Sequence, residues 1–246
     1  MQALTAQQLL PIWESGRAQM PVQRALTVLA AACPESSVES LAALSIGRRD
    51  ASLLQLREWA FGPRLDAISH CPQCGERLEF SFTADDIRPG TGNELADAAT
   101  LAVENYEINF RLPNSFDLMA VATCGSKDRK ALRQMLTKRC VLQACHQDAE
   151  IAAEQLPESV VTALSRHMAE ADQQADIRLA LDCPNCQHRW EALFDILSFF
   201  WGEIDAWAGR MVREVHLLAS AYGWAEKDIL TMSPDRRLIY LSMLAT

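Results

Sequence analysis

The chain has 246 residues, of which 49% are hydrophobic and 22% charged, and a formal charge of −9. That suits one large or two small globular domains with a real core. It argues against a phosphate backbone as partner, which needs a Lys/Arg surplus on a face. No apolar run reaches the roughly 18 residues of a membrane span, and the N-terminus lacks the charged, apolar and cleavage regions of a signal peptide. The eight cysteines are therefore expected in a reducing cytoplasm.

The N-terminal region reads as helices. Ala6 to Glu14 carries Leu9, Leu10, Ile12 and Trp13, and Val22 to Ala32 is rich in Ala, Leu and Val. Ser36-Ser37-Val38-Glu39 has the capping-box pattern and starts a turn through Leu41 and Leu44. Ser45-Ile46-Gly47-Arg48-Arg49-Asp50 leads a helix with Leu53, Leu54, Leu56, Trp59 and Phe61, stopped by Gly62-Pro63. Arg48, Arg49 and Asp50 read equally as a solvated first turn or as contact residues.

Next come two stretches with one spelling, Cys71-Pro72-Gln73-Cys74 and, far downstream, Cys183-Pro184-Asn185-Cys186. Each is followed by small or polar residues and then by alternation, Leu78 to Phe82 and Trp190 to Leu193. Ile177 to Leu181 alternates before the second pair. Alternation suits a half-buried strand, and two C-x-x-C knuckles between strands supply four sulfurs for tetrahedral zinc. Compact ribbons separate such pairs by about 15–20 residues, whereas roughly a hundred intervene here. The expectation is a zinc ribbon held by Cys71, Cys74, Cys183 and Cys186, with an insertion between its halves. A thioredoxin-like redox pair is an alternative, but it places its first Cys at a helix N-terminus, and both pairs here run into strand-like sequence. Unligated buried cysteine is the other. Four sulfurs would close the coordination shell, making the metal a staple and leaving no position for substrate. His70 and His188 flank the knuckles as outer hydrogen-bond donors at best.

Ala84 to Ala96, with Asp85-Asp86, Pro89-Gly90 and Gly92-Asn93, reads as a polar loop. Tyr106 to Leu112 alternates strictly and reads as a strand. Asn114 or Ser115 caps a helix, and further helices are expected over Asp128–Ala144 and Glu158–Glu170; His167, on the last, reads as a surface or capping residue. Cys33, Cys124, Cys140 and Cys145 lack ligand spacing and read as buried thiols. Leu197, Trp201, Ile204, Ala208, Met211, Val215, Leu218 and Tyr222 then repeat in steps of four and three, the seam of a helix packed along another. Either the N-terminal helices or another protein must cover it, and Trp201, Ile204, Met211, Val215, Leu218 and Tyr222 are the candidate partner-binding residues. Gly223 ends that helix, Ala225 to Leu230 makes a short one, and Ser233-Pro234 starts the last, whose Arg236-Arg237 pair is expected outward.

The chain contains no Gly-rich phosphate loop, G-x-S-x-G, H-E-x-x-H or dinucleotide fingerprint. No catalytic residue, small-molecule substrate or enzymatic activity is therefore expected. The C-terminal helices resemble a helix-turn-helix only loosely, with Arg236 and Arg237 as the sole basic residues of the second.

Two blocks carry a family resemblance. Ile46-Gly47-Arg48-Arg49-Asp50-Ala51, Leu53-Leu54, Leu56-Arg57-Glu58 and Phe61-Gly62, leading into Cys71-Pro72-Gln73-Cys74 and Leu78-Glu79-Phe80, resemble the baseplate hub assembly proteins of T4-like contractile tails. His216-Leu217-Leu218-Ala219, Tyr222-Gly223-Trp224, Ile229-Leu230 and Ser233-Pro234-Asp235-Arg236-Arg237 resemble relatives in phage-tail-like injection clusters. The resemblance implies a role in building the baseplate or hub, with baseplate or hub proteins as partners, and no catalytic residue.

The resulting expectation is a mainly α protein with a small β zinc ribbon (α+β), the ribbon split by a helical insertion. Residues 1–66 form an N-terminal helical region, 67–112 and 176–193 the two ribbon halves, 113–175 the insertion, and 194–246 a long helix and helical hairpin. The function expected is that of a non-enzymatic assembly factor or minor baseplate component, cytoplasmic or carried into the particle, with structural Zn2+. The rival is a zinc-ribbon regulator that binds nucleic acid.

Overall fold

The computed structural model describes residues 1–88, 98–147 and 149–244. Helices α1 (Ala6–Gly16), α2 (Pro21–Ala32), α3 (Val38–Ala43) and α4 (Ile46–Phe61) lead into a hairpin of β1 (Arg64–His70) and β2 (Arg77–Thr83). Strands β3 (Ala99–Val103) and β4 (Tyr106–Phe110) follow, then helices α5 (Ser115–Thr123) and α6 (Arg129–Cys140). Strands β5 (Val141–His146) and β6 (Ala149–Ile151) and helix α7 (Glu158–Ala171) precede a second hairpin, β7 (Ile177–Asp182) and β8 (Arg189–Phe194). The chain closes with α8 (Ile196–Tyr222), α9 (Glu226–Thr231) and α10 (Pro234–Leu244). The fold is mixed α+β with small sheets.

Short polar side chains start the helices by accepting orphan N–H groups. Ser37 Oγ accepts from Ser40 N at 3.1 Å, Asn114 Oδ1 from Phe116 N at 3.0 Å, and Asp195 Oδ1 from Leu197 N at 3.0 Å. Glycines stop two of them: Gly62 (φ +88°) after α4 and Gly223 (φ +67°) after α8.

Two cores result. The first joins α1, α2, α4 and the start of α8 around Leu29, Leu53, Leu54, Phe200 and Ile204, with Leu65 of β1 beneath them. Arg57 of α4 is 2% exposed and forks onto Glu203 of α8 at 2.7 and 2.6 Å, its remaining arm donating to the Gly62 carbonyl. The second core packs α6 and α7 against an antiparallel sheet ordered β3-β4-β5-β6, through Ile108, Phe110, Val160 and Leu164.

That sheet corrects three expectations. Tyr106–Phe110 is a strand, but it pairs with β3 and β5 and not with the ribbon hairpin; alternation announces a strand without naming its neighbour. The stretch 113–175, read as helical, contains β5 and β6. The helix read through Ala144 ends at Cys140, where the Arg111 N–H takes the Cys140 carbonyl and β5 begins. Leu142, Gln143 and Ala144 are good helix formers, so only pairing with β4 makes this segment extended. Strands β1 and β3 fall where no individual strand is named from the sequence, within or at the edge of the stretch 67–112 expected as a ribbon half. Asp85 and Asp86 lie in a 3-10 turn, Ala84–Ile87, where Asp86 accepts the Thr83 N–H. Pro89-Gly90 and Gly92-Asn93 lie outside the described residues.

Near the termini, Arg49 (4% exposed) and Asp50 (8%) are interior and paired to each other, not solvated. Arg237, expected outward, is 4% exposed and bonded to Glu214 of α8 at 2.9 Å and to the Met232 carbonyl; two adjacent arginines on a helix point in different directions, and only Arg236 faces solvent.

Candidate metal centre and helical face

The two hairpins are built on one plan. In the first, Leu65 faces Phe82 and the ladder ends at His70 opposite Arg77; in the second, Ile177 faces Phe194 and the ladder ends at Asp182 opposite Arg189. Each six-residue connection folds identically. Gly75 N–H donates to the Cys71 carbonyl and Cys71 N–H to the Glu76 carbonyl, both at 2.9 Å; Gln187 to Cys183 and Cys183 to His188 repeat this at 2.9 Å. Both turns need a left-handed residue, supplied by Gly75 (φ +75°) and by Gln187 (φ +60°). The hairpins meet through those equivalent phenylalanines, Phe82 and Phe194, edge to face at 5.4 Å, a geometry worth about 0.5–1.5 kcal/mol beyond burial.

This pairing brings together the four cysteines singled out in the sequence. Their sulfurs all lie within 4.8 Å of one another. Two pairs between the knuckles, Cys71–Cys186 and Cys74–Cys183, each stand at 3.6 Å. An ion with four thiolates at about 2.3 Å in a tetrahedron has sulfur–sulfur edges of about 3.8 Å. The cluster therefore fits a metal of that size. Cys71 and Cys183 are 2% exposed, Cys186 is half-buried and Cys74 exposed. Asn185 Nδ2 lies 3.8 Å from the Cys74 sulfur.

The electrostatics favour a cation. Desolvation opposes ionisation of Cys71, yet the N–H groups of Cys74 and Gln73 and the thiols of Cys186 and Cys74 bring its pKa down to about 7. The His188 N–H favours a thiolate at Cys186, but desolvation and the crowding sulfurs of Cys74, Cys71 and Cys183 push it up to about 12. Without a positive charge at the centre the four sulfurs cannot all ionise together; a bound metal removes the conflict. All-thiolate donors suit a soft or borderline ion such as zinc. Neither flanking histidine belongs to the cluster: His188 stacks on Trp190, 6.0 Å between centroids, and His70 is exposed at the end of β1.

The other cysteines are dispersed. Cys140 is buried near Asp117, and desolvation together with that carboxylate pushes its pKa up to about 12. Cys33 and Cys145 are half-buried, while Cys124, expected inside, is exposed beyond the end of α5. His167 lies partly buried, edge to face with Phe110 at 5.8 Å.

The seam on α8 is covered largely by the chain itself. Ile204 (0% exposed), Met211 (2%) and Leu218 (0%) are interior, Ile204 within the N-terminal core, and α9 and α10 pack along α8. Trp201, Val215 and Tyr222 are half-buried. Of the two covers expected, the chain's own helices supply one for these residues, since a four-three repeat announces a packed face without naming its neighbour. Tyr222 stacks on Trp224 at 4.5 Å and meets Tyr240 of α10. Apolar side chains left outward on these helices include Val212 and Leu217 of α8 and Leu238, Ile239 and Met243 of α10, each 46–59% exposed. Arg17 and Arg24, which frame Trp201, carry no sequence signal, because their approach to α8 is wholly tertiary. No helix among the described residues is long and apolar enough to cross a membrane.

Compared with known proteins, residues 4–201 match the family model described as T4 bacteriophage base plate protein. No curated protein and no solved structure matches.

Proposed function

The chain belongs to the T4 bacteriophage base plate protein family, and from that premise we propose that it is an assembly factor or minor structural component of the baseplate or hub of a contractile tail or phage-tail-like injection device. In this reading it is not an enzyme. Its four-cysteine centre holds structural zinc, which locks two hairpins from distant parts of the chain into one block. That block supports the base of α8, whose C-terminal half carries Val212 and Leu217 outward, and α10, which packs on α8, carries Leu238, Ile239 and Met243 outward. An exposed group of this kind is suited to a protein partner, and baseplate or hub proteins are the partners proposed.

The observation that carries the reading is the meeting of four sulfurs from two knuckles within the stretch matched to the family. Pull-down from cells expressing the whole tail cluster should recover baseplate or hub proteins. Recovery of none, under conditions where tails assemble, overturns it. Elemental analysis should give one zinc per chain.

One observation favours the rival, nucleic-acid binding. Lys127, Arg129, Lys130, Arg133, Lys138 and Arg139 crowd into α6 and its approach in a chain of net charge −9. Several are already engaged: Lys130 with Glu158, Arg133 with Ser165, and Arg139 with Asp117. Salt-sensitive DNA binding, lost on reversing Lys127 and Arg129, would favour that rival.

A further inference from the structure

A cavity of about 360 Å³ opens between the end of α1, the start of α2 and the first turns of α8. Its walls include Arg17, Arg24, Ser198, Trp201, Gly202 and Asp205. Both arginines are set on tryptophan rings: Arg24 over Trp201 at 4.8 Å and Arg17 over Trp13 at 5.2 Å. Arg24 is further pinned, Nε donating to the Gly16 carbonyl at 2.8 Å and Nη2 to the Arg17 carbonyl at 3.2 Å. Gly16 is what admits the Trp201 ring, since a Cβ there would stand 2.2 Å from it.

Neither guanidinium has a carboxylate partner among the described residues. The acidic residue in the wall, Asp205, turns Oδ1 to the Trp13 indole N–H at 2.7 Å. Two oriented cations thus share one concavity in an acidic chain. Arginine held on an aromatic face has lost rotamer freedom before any partner arrives. Trp and Arg around a pocket are also the residue types that dominate interface energetics.

We propose that this notch receives a Glu or Asp side chain presented by a neighbouring baseplate protein, a proposal that rests on the family reading above. The two cations converge on one confined concavity, whereas a surface that tracks nucleic acid spreads its cations along a groove. The carboxylate takes the free Nη1 of Arg24 and the exposed guanidinium of Arg17, and the ring of Trp201 forms the apolar floor.

Hexaglutamate titrated into the purified chain, followed by the indole N–H resonances of Trp201 and Trp13, tests the site. Saturable shifts are expected at low salt. Arg17→Glu removes an exposed side chain that lies over the Trp13 ring and makes no ion pair among the described residues, so the fold should stand while affinity falls by about tenfold or more. Asp205→Asn keeps an acceptor for Trp13, removes the repelling charge and should tighten binding several-fold. Lys127→Glu, on the α6 approach, should leave it unchanged. Absence of a saturable shift at Trp201, wild-type affinity in Arg17→Glu, or tighter binding of a DNA duplex than of hexaglutamate at the notch overturns the proposal. Carried into the pull-down, Arg17→Glu should lose the recovered baseplate protein. Undiminished recovery overturns the notch while leaving the baseplate reading in place.

Discussion

The carboxylate of Asp172 occupies the space that a side chain on Gly47 would need. It accepts the Gly47 N–H at 2.9 Å, and a Cβ at position 47 would fall 1.8 Å from its Oδ1. An anion is thereby seated on the first turn of α4, where the helix dipole favours it. Because Asp172 immediately precedes the segment that enters β7, this contact ties the second knuckle hairpin to the N-terminal helices.

Gly47→Ala should therefore destabilise the chain by about 1–3 kcal/mol, by overpacking and by expelling the carboxylate from the helix end. Asp172→Ala should cost about 1–2 kcal/mol for the lost charge-assisted bond. The double variant should be little worse than the poorer single one, since both remove the same contact. Urea denaturation of the four proteins checks this; full additivity would show that the two residues act separately. Gly209→Ala is the contrast, because a Cβ there meets nothing within 4 Å, and it should gain up to about 1 kcal/mol in the middle of α8.

Asp50 supplies the pH test. Burial raises its pKa from 3.8 to about 6 against the pull of Arg49, with Asp195 and Asp172 adding to the rise. A carboxyl whose folded pKa is raised contributes stability that is present below the unfolded pKa and lost as pH climbs through the folded one. Relative to Asp50→Asn, the wild-type chain should gain roughly 2 kcal/mol on going from about pH 7.5 to about pH 4.5. Asp117 shifts the other way, its pKa lowered by Arg111, Asn114 N–H and Arg139 despite burial, but it is present in both proteins and cancels in the difference. A wild-type minus variant difference that is flat with pH would show that Asp50 titrates at its ordinary value.

Much of this molecule was legible in its residues, and the failures have a common cause. Caps, glycine stops and the four clustered cysteines are local chemistry; Ser45, Asn114, Gly62 and Gly223 act within a turn of themselves, and the two knuckles share a spelling. What eluded the reading was pairing. The strand Tyr106–Phe110 could be recognised from alternation, but its partner β5 hides in helix-forming residues. Arg237 and Arg49 are interior only because Glu214 and Asp50 are there to receive them. The seam on α8 gave its period correctly, while its cover, α9 and α10 included, depends on where loops send the chain.

The duplicated turn invites a paired experiment. Gly75 and Gln187 occupy equivalent left-handed positions at φ +75° and +60°, and a side chain there costs about 1–2 kcal/mol. Gly75→Ala should lower stability by about 1 kcal/mol, and Gln187→Gly should raise it by up to a similar amount, less the extra entropy of the unfolded chain. Thermal melts of the metal-loaded protein decide it. Equal losses in both variants would mean that the Gln187 side chain makes a contribution outweighing its backbone strain.

Removal of one sulfur separates a metal staple from four incidental thiols. Cys183 is buried, and its sulfur stands 3.6 Å from that of Cys74, so Cys183→Ser removes a donor from the centre while scarcely changing volume. Structural zinc in finger peptides is worth about 10–16 kcal/mol near neutral pH, an upper guide for a centre embedded in a larger fold. The variant should lose most of its metal, and limited proteolysis should cut first within 64–83 and 177–194. The helices α1, α2 and α4, which share their core with the start of α8 and take only Leu65 of its buried side chains from the hairpins, should persist longer. Cys124→Ser, at an exposed thiol outside the cluster, should behave as wild type. If both variants retain one metal per chain and the same proteolytic pattern, the four sulfurs do not hold the hairpins together, and the basis for the rigid block beneath α8 is gone.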